Sequence, residues 1–229
     1  MKATIPKTVF DFLLQLRQNN DRDWMKEHKK TYVSNEKTLK NFYSEVEKGL
    51  NVSDKIAKTK IFRIHRDIRF SKDKTPYNVH RSVSYSRAGA HRRGGYYLRL
   101  EPGNSHMAGG FFAPNPTDLF RIRKEFEIDS SEIRKILAQQ DFKKAFGGFN
   151  QENAVKTAPK GFSKSDESID LIRLRSFFVS HRFTDDEVFS VDFKDALLYH
   201  YQLLRPFFDY MSELLTTDLN GASILGSDR

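Results

Sequence analysis

The chain has 229 residues, enough for one sizeable hydrophobic core, and its 38% hydrophobic and 30% charged residues suit a globular rather than a disordered protein. It has no cysteine, which excludes disulfides, thiolate metal sites and a thiol nucleophile. Of the net charge of +9, residues 58–99 alone account for +10, with twelve Lys or Arg against two acids, so the remainder carries −1. A near-neutral body with one basic region allows a discrete anion site as well as a nucleic-acid surface.

The N-terminal residues MKATIPKTVFDFLLQLRQNN mix an Asp and polar residues into the apolar part and lack the pattern of a signal peptide. No apolar run approaches the roughly 20 residues that cross a bilayer, so the expected location is the cytoplasm, with no membrane insertion. Thr8 is placed to cap a first helix whose Val9, Phe12, Leu13 and Leu16 fall at helical spacing. Asn19-Asn20-Asp21 ends it. A second helical stretch spans about Arg22 to Leu50, with a weak point at Thr31 to Ser34.

From about Lys60 the period changes to that of strands. Ile61 to Ile64 is short and β-like, and Val79, Arg81, Val83 and Tyr85 alternate with polar residues. YYLRLEP is a further strand between Gly94-Gly95 and Pro102-Gly103, and the basic link AGAHRRGG before it reads as a hairpin connection. MAGGFFAP is another strand, whose glycines imply a bulge or a close approach of backbone. Asn115-Pro116-Thr117-Asp118 opens a helix carrying Leu119, Ile122 and Phe126, and another covers Ser131 to Gln139. Residues 147–168 read as a long loop, and LIRLRSFFVSHRF as a helix end followed by a strand. The final helix runs from about Val191 to Leu215, kinked or split by Pro206, with a tail at 216–229 that is expected to fray. The expected fold is α+β: a single domain over 1–229, with an antiparallel sheet (strands within 60–113 plus one near 176–183) flanked by N- and C-terminal helices.

The densest charge lies in RIHRDIRFSKDKTPY, residues 63–77. Arg63, Arg66 and Arg69 stand three apart with Asp67 among them, followed by Lys72, Lys74 and Tyr77. Guanidinium forks suit phosphate or carboxylate oxygens, so Arg63, Arg66, Arg69, Lys74 and Tyr77 are the candidate ligand-binding residues, with Asp67 orienting one arginine. If the segment is helical, 63, 66 and 70 share a face; if extended, 63 and 69 point one way and 66 the other. Secondary candidates are Lys72, His65 as a general acid or base, and Glu101, which is more readily the partner of a nearby arginine than an acid or base. His65, His80, His91 and His106 cluster in sequence, but there is no HExxH and the positive field disfavours a cation, so no metal is expected. No nucleotide-binding glycine motif and no catalytic triad can be assembled.

The pattern R-x-x-R-D-x-R-F-x-x-x-K-x-x-Y over Arg63–Tyr77 resembles the signature of a family of uncharacterised, mostly bacterial proteins of about this length, labelled a domain of unknown function. NNDRDW, GGYYLRLEPG, PKGF and LRSFF are similar to that family as well, so the resemblance covers nearly the whole chain. It implies membership but no activity, cofactor or substrate. It adds Lys160 and Arg175 as family-like positions. At Ser163 to Ser168 the chain reads SKSDES where the family often has an acidic-His-Pro stretch, so no histidine role carries over there.

Three functions fit. The first is a pocket, with or without catalysis, for a small phosphate- or carboxylate-bearing ligand. It requires the signature side chains to converge on one concavity. The second is nucleic-acid binding through the 58–99 segment, with Tyr85, Tyr96 and Tyr97 available for stacking. The third is a non-catalytic structural or protein-interaction domain whose basic face meets an acidic protein.

Overall fold

In the computed structural model, which describes residues 3–218 and 221–225, the chain opens with α1 (Lys7–Gln18). Its cap is Pro6, not Thr8: the proline ring fixes an extended entry at φ −73°, ψ 151°, and Thr8 already lies inside the helix. Asp21 then caps α2 (Arg22–Glu27), its carboxylate accepting from the N–H groups of Asp23 and Trp24 at 2.9 and 2.8 Å.

The break before α3 (Lys29–Ser53) falls at His28, not at Thr31 to Ser34. His28 folds back, its ring stacked on Trp24 at 4.0 Å, and Nδ1 lies 2.9 Å from the Trp24 carbonyl. The weak helix formers stay helical because Asn35, Leu39, Phe42, Val46 and Leu50 bury one long face of α3.

The sheet is a five-stranded antiparallel meander of β1 (Ile56–Ile61), β2 (Arg81–Arg87), β3 (Gly95–Leu100), β4 (Ser105–Phe111) and β5 (Phe177–Phe183), in that order. β1 begins earlier than the sequence suggests. Asn51 Oδ1 accepts from Ile56 N–H and Asp54 Oδ1 from Lys55 N–H, and this tight turn launches the strand directly from α3. Of the β-like run Ile61 to Ile64, only Ile61 belongs to it. Val79 also lies outside β2.

The C-terminal half contains α4 (Pro116–Ile128), α5 (Ser131–Ala138), α6 (Gln140–Phe146), α7 (Ile169–Ile172), α8 (Asp185–Phe189), α9 (Phe193–Leu203) and α10 (Arg205–Leu214). Asn115 caps α4 as its sequence implies, and Pro206 separates α9 from α10 by standing in the first turn of α10. α6 and α8 are additions. α8 is held by a capping box between Thr184 and Glu187. The expected tail falls partly on residues 219–220 and 226–229, outside the described ones, and Thr217 and Ser223 form an antiparallel bridge.

The chain divides into two compact units. The first takes the residues up to Tyr85 with Tyr97–Met107 and Arg182–Tyr199. Its core stacks Phe42 on Phe193 at 5.6 Å, sets Phe183 edge-on to Phe193 at 5.1 Å, and buries Leu39, Val46, Val83 and Leu98. The second takes Ser86–Tyr96, Ala108–His181 and the chain from His200. Its core clusters Tyr96, Phe111, Phe126, Phe177, Phe207 and Phe208. Each fully buried Phe contributes about 1.5–3 kcal/mol through the water it excludes, consistent with a core built on phenylalanine.

Candidate functional site

After β1 the chain leaves the sheet and returns as a ribbon. Phe62 N–H donates to Ser82 O (3.0 Å), Asn78 N–H to Ile64 O (2.7 Å) and Arg66 N–H to Pro76 O (2.9 Å), while His65 and Tyr77 form an antiparallel bridge. Of the two geometries open to the segment, the extended one holds up to Arg66, with Ile64 buried between exposed Arg63 and His65. Asn20 clips the returning arm. Its Nδ2 donates to Tyr77 O and its Oδ1 accepts from Tyr77 N–H, at 2.9 and 3.1 Å. The Tyr77 ring is buried.

Residues 67–75 form the tip, and Arg66 is its clasp. The guanidinium donates to Asp73 Oδ2 (2.5 Å), to Thr75 O (3.1 Å) and to the Thr75 hydroxyl. Asp73 also accepts from Thr75 N–H. That bond first, and Arg66 next, hold its carboxyl down at about 2. Asp67 instead grips Arg69 in a two-pronged exposed pair at 2.9 and 2.6 Å, which lowers its pKa. Lys74 Nζ donates to Ile68 O, Lys72 is exposed, and Phe70 is 96% exposed beside Arg69.

The three arginines therefore do not converge. A cleft of about 620 Å³ in the first unit collects some of the signature residues and leaves others out. One wall is the ribbon, with Lys60, Phe62, Arg63, His65, Arg66 and Asp67; the other is Asn78, His80, Ser82 and Tyr97. Arg69, Lys72, Lys74, Tyr77 and Glu101 do not line it. Sequence reasoning missed Lys60, Asn78 and Ser82, and offered Tyr97 only as a stacking platform for nucleic acid. The alternation of β3 was the available signal, because it buries Tyr96 and turns Tyr97 to the other face.

Lys60 Nζ lies over the Phe62 ring at 4.9 Å, and Phe62 meets Tyr97 edge-on. Among the described residues neither Lys60 nor Arg63 has a carboxylate within ion-pair distance. Burial, aided by the charge of Arg99, depresses the His80 pKa to about 4, so its imidazole is neutral at pH 7. Burial also lowers His106, whose Nδ1 lies 3.1 Å from Asn104 O. Glu101 joins Arg99 at 2.8 Å and Arg17 at 3.5 Å, and accepts from Asn104 Nδ2. His91 lies exposed beside Arg92.

Because the folded His80 pKa lies below its ordinary 6.5, stability is complete above about pH 6.5 and falls as pH drops toward 4, where the unfolded chain takes up the proton first. His80→Asn should flatten part of this acid loss. Urea midpoints at pH 7 and pH 4.5 check it, and an unchanged difference between the two pH values would count against the assignment.

Lys160 and Arg175 lie elsewhere, in a cavity of the second unit that also contains Arg123. Among the described residues no group of three or more His, Asp or Glu is arranged to hold a metal, and no helix is long and apolar enough to cross a membrane.

The fold defines an α+β protein whose antiparallel sheet and adjoining ribbon frame a cleft lined by Lys60, Arg63 and Arg66. The family described as "conserved hypothetical protein (DUF2461)" matches residues 8–210, and the chain belongs to it. No curated protein and no solved structure matches the chain.

Proposed function

We propose that the chain binds a small phosphate- or carboxylate-bearing ligand in the cleft between the 60–67 ribbon and Asn78, His80, Ser82 and Tyr97. The observation that carries this reading is the pair of cations, Lys60 and Arg63, that share the cleft with no carboxylate within ion-pair distance among the described residues. Arg66 adds charge, but Asp73 already offsets it. Neutral His80, with Asn78, Ser82 and the Tyr97 hydroxyl, supplies hydrogen-bonding groups around the anion. Asp67, the only carboxylate on the walls among the described residues, is engaged by Arg69, so the reading assigns binding and no acid–base step.

Thermal shift at constant ionic strength tests it. Phosphate or sulfate at ten times its Kd should stabilise the protein by about 1.4 kcal/mol. For a chain of this length that is roughly 3–6 °C. Arg63→Ala and Lys60→Ala should each remove most of the shift while leaving the unliganded Tm near that of the wild type. Equal shifts in wild type and both variants would sink the reading.

A nucleic-acid reading loses Tyr85 and Tyr96 as stacking platforms, since both are buried, but the basic tip offers Phe70. A single-stranded oligonucleotide in the same assay separates the two. Stabilisation that vanishes with salt and with Phe70→Ala, while Arg63→Ala leaves it intact, would favour the tip.

A further inference from the structure

The arginines of the second unit are, as a rule, matched to carboxylates. Arg93 pairs with Asp118, Arg121 with Glu125 at 2.7 Å and Arg134 with Asp170 at 2.7 Å. A cavity of about 670 Å³ breaks that rule. It lies where β4 hands over to α4, where the chain enters β5, and under the loop of residues 153–160. Arg123, Arg175 and Lys160 line it, and among the described residues no acidic one does.

Arg123 is the most constrained of the three. Its Nη2 donates to Leu174 O at 3.0 Å, but its Nε is buried without a hydrogen-bond partner. Burial and then the nearby charge of Arg175 lower its pKa. Two neighbouring guanidinium groups repel each other, and one anion held between them relieves that cost. The backbone at the rim is also unusual. Ala113 has φ +48°, the one positive φ of a non-glycine residue among those described, and its N–H donates to Ser176 Oγ in the cavity wall at 3.1 Å. Strain of this kind gathers at ligand-binding positions. The remaining lining includes Pro114, Leu119, Val155 and Pro159, an apolar surface that a bare inorganic ion would leave unused.

We propose that this cavity binds a small organic oxyanion, a carboxylate or phosphate monoester on a short apolar body, with the anion held by Arg123, Arg175 and Lys160. It shares no residue with the cleft proposed above and stands without it.

Titrations followed by amide NMR shifts test this, with phenyl phosphate, benzoate, inorganic phosphate and phenol as ligands. At least one organic anion should bind saturably, with shifts centred on residues 113–123, 153–160 and 175–176. Inorganic phosphate should bind more weakly and phenol not measurably, and the comparison of benzoate with phenyl phosphate identifies the head group. Arg175→Ala and Lys160→Ala, both at exposed side chains, should each weaken binding roughly tenfold or more. Arg63→Ala should leave it unchanged. The proposal is overturned if neither organic anion binds, if phenol or inorganic phosphate binds as well as they do, or if both cavity variants keep wild-type affinity. Loss of binding on Arg63→Ala instead would assign the anion to the first cleft and overturn this site alone.

Discussion

Replacing Arg81 by alanine should cost about 3–5 kcal/mol, a large part of the 5–15 kcal/mol that holds a typical domain together. Arg81 opens β2, and its side chain is 4% exposed. Its Nε donates to Glu36 Oε1 at 2.6 Å and its Nη2 to Oε2 at 2.8 Å, a two-pronged match to a carboxylate on α3. Alanine removes the fork and leaves the Glu36 carboxylate largely out of water with no cation. It does so beside Tyr43, whose hydroxyl is already buried without a partner and whose pKa is pushed up by burial. Most of the loss is this stranded charge. Arg81→Met combined with Glu36→Leu should therefore recover most of it, since the low-dielectric penalty disappears with both charges. Arg81→Lys should fall between, because an ammonium cannot reproduce the fork. Urea midpoints for the three variants measure this. An Arg81→Ala midpoint close to wild type, or a double variant no better than the single, would show that the pair is not what ties α3 to the sheet.

Arg81 also shows why the formal charge of the 58–99 segment overstates what it offers a ligand. Arg66, Arg69, Arg81, Arg87, Arg93 and Arg99 all meet carboxylates. Much of the excess positive charge is spent on internal ties, and the cations left for an anion are fewer and differently placed than the signature suggests.

The strands and long helices were legible because their signals are local. Gly94-Gly95 and Pro102-Gly103 bracket β3, and Pro206 marks the junction of α9 and α10. The Thr184–Glu187 capping box was also present as TDDE and is a readable helix start, although α8 is too short to show a period. α6 had no such mark. It is separated from α5 only by a turn of backbone at Gln139, with no glycine or proline there. At the candidate site, the sequence located the basic ribbon but not its pairings. Arg66 finds Asp73 seven residues away across a loop rather than adjacent Asp67, a choice made by the loop's path. Arg123 reads as an ordinary polar residue on α4, and only the fold brings Arg175 and Lys160 from far along the chain to the same cavity.

Gly110→Ala should be about as damaging as the loss of Arg81, at roughly 3–5 kcal/mol when backbone strain and steric overlap are taken together. Gly110 lies in β4 with φ +150°, outside the range that a side chain readily tolerates. A Cβ built there would stand 2.5 Å from the Phe178 Cα and closer still to the Phe177 carbonyl oxygen, both on the β5 backbone. Backbone cannot step aside as a side chain can, so the two strands must part. The adjacent Gly109 provides the control. An added Cβ there would overlap Leu204 Cδ1, the end of a flexible side chain, so Gly109→Ala should cost only about 1–3 kcal/mol. Thermal unfolding of both variants, with amide exchange across β4 and β5, resolves the difference. Exchange should accelerate at Phe177 and Phe178 in Gly110→Ala far more than in Gly109→Ala. The same variant should weaken the organic-anion cavity, because the Ala113 N–H to Ser176 hydroxyl bond at its rim joins the ends of the two strands that the new methyl group drives apart. Equal stability of the two variants would mean that β4 and β5 can separate there at little cost.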